Sequence, residues 1–247
     1  MTMKYVLGCA VIGLTLTFPA MLSAQTDKDY DDLRSLYIDE KYDKLISKSE
    51  RYVGKSDTKK DPAPYLYLAK AFFEISRSEE MHDEWTPEKA FANALKWAVK
   101  YRKKDPEGVL FRENDIFFEE LKKTALGDAA GQMSDRKYSR AKRFYDAVTK
   151  FDPENVGAYY LLGLSQVEMR SVTEANMTFK QADDLLRETD VAALNPLDKK
   201  TLRDGGIAYA EYLIADGRRG DAAEIMDLLA PALAGDSEFD MLYRKVK

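Results

Sequence analysis

The chain has 247 residues, 33% of them charged and 45% hydrophobic, a balance that supports a packed core and excludes a disordered polymer. Acidic residues outnumber basic ones, 43 to 38, for a net charge of −5, which excludes an electrostatic grip on nucleic acid or anionic lipid as the principal function. The single cysteine, Cys9, lies in the N-terminal segment expected to be removed and the single histidine is His82, so the mature chain is expected to have no material for a disulfide framework, a cysteine nucleophile or a zinc cluster.

The first 24 residues read as an export signal. Lys4 supplies a positive charge, Val6 to Phe18 is an unbroken apolar run, and Pro19 ends it. The run has 13 residues, too few for a bilayer span of about 20. Leu22-Ser23-Ala24 offers small residues ahead of Gln25, so cleavage is expected near Ala24-Gln25, leaving a chain that is periplasmic or otherwise exported. Leu7-Gly8-Cys9 resembles a lipoprotein box, but Cys9 lies inside the apolar run. No later stretch approaches membrane length.

Beyond the signal, proline marks the chain at nearly regular distances. Asp61-Pro62, Asp105-Pro106, Asp152-Pro153 and Asn195-Pro196 are separated by 44, 47 and 43 residues. Asp or Asn before Pro is a helix-start signal, because the side chain caps free amides and Pro lacks an N–H that the first turn does not use. Thr86-Pro87-Glu88 repeats the device. Between these marks apolar residues recur at three and four, as in Tyr65, Leu68, Ala69, Phe72 and Phe73, and no alternating Val, Ile or Thr run suggests a strand. The expected organisation is a degenerate helix pair over 25–61, repeats over 62–195 with an insert at 76–88, and a helix pair with a cap over 196–247. The fold class is all-α.

Tyr159, Leu162, Gly163, Ala175, Phe179 and Ala182 follow one another at spacings of 3, 1, 12, 4 and 3, and Ala141, Tyr145 and Val148 sit one 34-residue period upstream of Ala175. This pattern resembles the tetratricopeptide repeat, in which an aromatic, a Leu and a small residue on one helix meet Ala, an aromatic and Ala on the next. The resemblance is strongest over 135–186. It implies a solenoid of about five antiparallel helix pairs, since one unit cannot bury its own face. A plain helical bundle sharing one core is the alternative.

In that family, positions 2, 5, 9 and 12 of each first helix commonly line a concave groove. The resemblance therefore nominates Leu66, Lys70 and Phe73; Leu126, Ala130 and Met133; Tyr160, Leu164 and Val167; and Ile207, Glu211 and Ile214. The row is unusually apolar, as either a partner groove or covered core would be. In the insert, His82 and Trp85 are candidate partner contacts, against a reading in which Trp85 packs back on the scaffold. Family members that clamp C-terminal carboxylates use Lys and Asn on successive first helices. Asp31, Ser35 and Tyr67 stand at such places here, so that specialisation does not carry over.

Other constellations are weak. There is no phosphate-binding glycine loop, and Gly205-Gly206 suits close packing or capping. Neighbouring acids such as Glu119-Glu120 and Asp183-Asp184 point apart on a helix. Arg136, Lys137, Arg140, Lys142 and Arg143 are the densest basic patch, read as a solvated outer face. The expectation is a non-enzymatic protein without cofactor or metal that binds a protein or peptide in the bacterial cell envelope. A small-molecule or glycan receptor using the same groove is the alternative.

Overall fold

A computed structural model describes residues 30–78 and 85–247; the segment expected to be an export signal and His82 lie outside the described residues. These residues form twelve α-helices and no β-strand. In chain order they are α1 (Asp31–Ile38), α2 (Tyr42–Gly54), α3 (Ala63–Arg77), α4 (Pro87–Arg102), α5 (Val109–Glu113), α6 (Asp115–Ser134), α7 (Tyr138–Phe151), α8 (Val156–Glu168), α9 (Val172–Glu188), α10 (Pro196–Ala215), α11 (Arg219–Leu233) and α12 (Ser237–Val246). Helices α1/α2, α3/α4, α6/α7, α8/α9 and α10/α11 are five packed antiparallel pairs, and α12 closes the end. The protein is an all-α, tetratricopeptide-like helical array.

The proline marks act as their chemistry requires, with variations. Asn195 Oδ1 accepts from the Asp198 N–H at 2.8 Å to cap α10, and the Thr86 hydroxyl accepts from the Lys89 N–H at 3.4 Å to cap α4. After Asp152-Pro153 the cap is Asn155, whose Oδ1 accepts from the Ala158 N–H at 2.9 Å. Asp105 holds the short α5 instead, accepting from the N–H groups of Val109 and Phe111.

One turn recurs in four of the pairs. Ser171 N–H donates to the Gln166 carbonyl and Arg170 N–H to the Val167 carbonyl, the two bonds of a Schellman stop, with Arg170 left-handed at φ 60°. Glu40, Arg136 and Gly217 occupy the same position after α1, α6 and α10, at φ 55°, 59° and 78°, with the same pair of bonds. Arg136 and Arg170 stand one 34-residue period apart. Three of the four residues carry a Cβ, so the usual glycine signal is missing from the sequence although the geometry is repeated.

Burial follows the array. One apolar cluster runs from Leu33 to Ala158 and another from Val156 to Val246, joined by a small one of Ala129, Ala141, Tyr145 and Leu162. Small residues decide how closely the helices pass. A Cβ on Gly163 would sit 2.3 Å from the Phe179 ring, and one on Gly157 would sit 2.3 Å from the Thr201 carbonyl carbon, so α8 touches α9 and α10 at glycine.

A buried ionic knot pins the centre. Lys122 of α6 is 5% exposed and reaches Asp152 at 2.7 Å and Asp198 of α10. Asn155 also donates to Asp198, at 2.7 Å, as does Asn195. Burial pulls the Lys122 ammonium toward neutrality, but the two carboxylates overcome it and hold the group above its ordinary value.

Candidate functional site

The nominated row splits between interior and surface. Leu66, Phe73, Tyr160 and Ile207 are buried, with Tyr160 wholly inaccessible. Lys70, Leu126, Met133, Leu164, Val167 and Ile214 are half-buried, while Ala130 and Glu211 are exposed.

The buried members are held by neighbouring helices. Phe73 lies among Phe91 and Phe117, with ring centroids 6.2 and 5.9 Å away. Tyr160 stacks on Tyr209 at 4.7 Å, and Tyr209 stacks on Phe179 at 4.3 Å. Both tyrosine hydroxyls donate to Asp183, Tyr160 at 2.9 Å and Tyr209 at 3.4 Å. Burial raises the Asp183 carboxyl above its ordinary value, although Tyr160 and Arg187 pull it back. Burial, reinforced by Asp183, pushes both phenols far above the usual tyrosine range. Asp183 and Tyr209 have no place in the nominated row. They reach Tyr160 from 23 and 49 residues away, and no spacing rule in the sequence joins them.

Lys70 stands differently. Its Nζ donates to Asn114 Oδ1 at 3.0 Å and lies 5.7 and 5.6 Å from the centres of the Tyr37 and Phe117 rings. Burial lowers its pKa, with Glu74 acting in the opposite direction. Glu74 is itself engaged by the Tyr37 hydroxyl at 3.2 Å. Trp85 meets Phe72 edge-on at 4.9 Å and 82°, so this part of the insert region packs back onto the scaffold.

Ala130 and Met133 are accessible on α6, and a second accessible stretch of the row lies at the C-terminal end. Glu211, Ile214 and Ala215 of α10 line a cleft of about 560 Å³ with Arg219 of α11 and Leu242, Arg244 and Lys245 of α12. Arg219 donates to the Lys245 carbonyl, tying α11 to α12, and Arg244 Nε donates to the Asp240 carbonyl at 3.1 Å. These bonds go to backbone oxygens, so the cationic charge facing the cleft is not neutralised by them. The sequence pointed to Glu211 and Ile214; the opposite wall came from α12, a cap with no assigned role.

Among the described residues no helix is long and apolar enough to cross a membrane, and no three of His, Cys, Asp and Glu gather into a metal-binding group.

No protein-family model matches the chain, and no curated protein matches it. Among solved structures it is similar to the TPR2AB domain of yeast Sti1, solved in a complex with pHSP90, at 17% identity and a TM-score of 0.36, over 89% of this chain and 86% of that one.

Proposed function

We propose that the chain is an exported, non-enzymatic adaptor or assembly factor that binds another protein or peptide in the bacterial cell envelope, with the C-terminal cleft as its docking surface. The observation that carries this is the placement of Glu211 and Ile214, two nominated groove residues, in an accessible cleft with a cationic rim. Ile214, Ala215 and Leu242 offer an apolar floor, and Arg219, Arg244 and Lys245 offer positive charge. A peptide with one apolar anchor beside a carboxylate complements both. Export is supported by the charged, apolar and small-residue order of residues 1–24. A glycan receptor would need aromatic rings open to stack on a sugar, but Phe73 and Tyr160 are covered and Trp85 is packed against Phe72.

The test is photo-crosslinking in cells from Ile214 and, separately, from Tyr160. The expected result is capture of one dominant protein from Ile214 and only intramolecular products from Tyr160. Capture from Tyr160 with none from Ile214 would move the docking surface to a part of the row that must open first. Silence at both would remove the adaptor reading.

A further inference from the structure

Net charge averages over a surface, and in this acidic protein it conceals one strongly basic face. Between Pro87 and Lys104 there are six basic residues and one acid, Glu88. Arg102 turns inward, donating to the Asp105 carbonyl and lying 5.6 Å from the centre of the Phe111 ring. The remaining cations are all lysines. Lys89, Lys96 and Lys103 are exposed and Lys100 half-exposed along one face of α4, spaced three, four and seven residues apart, a stripe of about 21 Å at 1.5 Å per residue. Lys104 continues it past the helix end. The Tyr65 hydroxyl donates to the Lys59 carbonyl at 2.8 Å, which brings the turn carrying Lys59 alongside.

Two features set this face apart from the basic patch on α7. There, Lys137 pairs with Asp135 at 2.8 Å and Lys142 with Glu174 at 2.6 Å. On α4, the side chains of Lys96, Lys100 and Lys104 lie over aromatic rings: Lys96 and Lys100 are 5.6 and 4.0 Å from the centre of Trp97, and Lys104 is 5.4 Å from Tyr65. Burial and the neighbouring Lys96 both lower the Lys100 pKa, the response of a cation among cations. Trp97 and Tyr65, 5.9 Å apart, lie beneath the lysine stems as an apolar layer.

We infer that the lysine face of α4 docks the protein on an anionic lipid surface. Charge complementarity requires an anionic partner, and the choice of cation narrows it. Guanidinium forks suit fixed bidentate partners, carboxylate or phosphate, whereas flexible ammonium groups carry charge without a fixed geometry, which is all that a plane of mobile anionic headgroups requires. Trp97 and Tyr65 are buried beneath the cations, 7% and 8% exposed, so they hold the lysine stems along the surface while the ammonium groups meet the anions. The face lies on the second helix of its pair, away from the C-terminal cleft, so docking there leaves the cleft free.

The experiment is flotation of the full chain, as purified from the expressing cell, with vesicles of phosphatidylglycerol and phosphatidylcholine and with vesicles of phosphatidylcholine alone. Wild type is compared with a variant carrying K96Q, K100Q, K103Q and K104Q and with one carrying arginine at the same four positions. Far-UV circular dichroism checks that both variants fold. Each lysine contributes about fivefold to partition onto an anionic surface, so the glutamine variant is expected to bind anionic vesicles more than about a hundredfold more weakly. The arginine variant retains binding, added salt releases both binders, and neutral vesicles capture none of the three in a lysine-dependent way. Equal binding of wild type and the glutamine variant to anionic vesicles overturns the inference. So does tighter binding of soluble polyglutamate than of vesicles, lost in the same variant, which would assign the face to an acidic protein.

Discussion

Replacing Gly157 with alanine tests the packing logic most directly. A Cβ there would lie 2.3 Å from both the carbonyl carbon and oxygen of Thr201 and 2.4 Å from the Leu202 nitrogen. The reciprocal contact is as close, since a Cβ on Gly205 would lie 2.5 Å from the Gly157 oxygen. These neighbours are backbone, which cannot rotate aside as the end of a side chain can. Relief requires α8 and α10 to part, which strains the Tyr160–Tyr209 stack and the Asn155–Asp198 bond. Overpacking of this kind costs about 3 kcal/mol, at the upper end of its usual range. Alanine returns about 1 kcal/mol through helix propensity, leaving a net loss of about 2 kcal/mol. For a chain of this size that lowers Tm by about 4–8 °C in a melt followed by far-UV circular dichroism. Gly127 and Gly131 in α6 are controls of opposite sign: no atom lies within 4 Å of a Cβ at either. Their alanine variants should melt about 2–4 °C higher through propensity alone. A Gly157→Ala variant as stable as these controls would refute the close approach of α8 to α10.

The remaining predictions concern charge and backbone strain. Asp183 has a folded pKa above its ordinary 3.8, so its contribution to stability is full below the unfolded value and is lost as pH rises through the folded one. Asp183→Asn should keep bonds to both tyrosine hydroxyls, hold or raise Tm at pH 7, and flatten the loss of stability that sets in as pH rises past the ordinary carboxyl value; an unaltered profile would contradict it. Lys122→Met leaves Asp152 and Asp198 facing each other without their cation. It should cost about 3–5 kcal/mol at neutral pH and less in acid, where the carboxylates take up protons, so a loss independent of pH would argue against the knot. Arg170→Gly relieves a left-handed residue and should raise stability by up to about 1 kcal/mol in urea denaturation, whereas a loss would indicate that the arginine side chain holds the turn.

How much of this could be read beforehand depends on the range of each interaction. Helix starts were legible at Asn195 and Thr86 because a cap and its amides lie three residues apart. A close approach at Gly163 was legible because a repeat sets the spacing of small residues within one helix pair, but that Phe179 is the ring it receives was not. The four Schellman turns were not, because Glu40, Arg136 and Arg170 carry none of the glycine that normally announces a left-handed residue.

The sequence by itself determined the helical class, the pairing of neighbours and the small residue at Gly163, all consequences of short-range periodicity. Tertiary structure alone decided which face of that array is interior. Tyr160 and Ile214 both stand in the nominated row. Yet Tyr160 is sealed by Tyr209, while Ile214 opens into a cleft whose far wall belongs to α12. Lys122 reads as one more surface lysine until Asp198, 76 residues away, folds back to it. The lysines of α4 and α7 look alike in sequence. Only the folded chain brings Glu174 to the α7 patch and Tyr65 beneath Lys104 at the end of α4. Burial and charge pairing are properties of several helices at once, and a local pattern cannot specify the angle at which the next helix arrives.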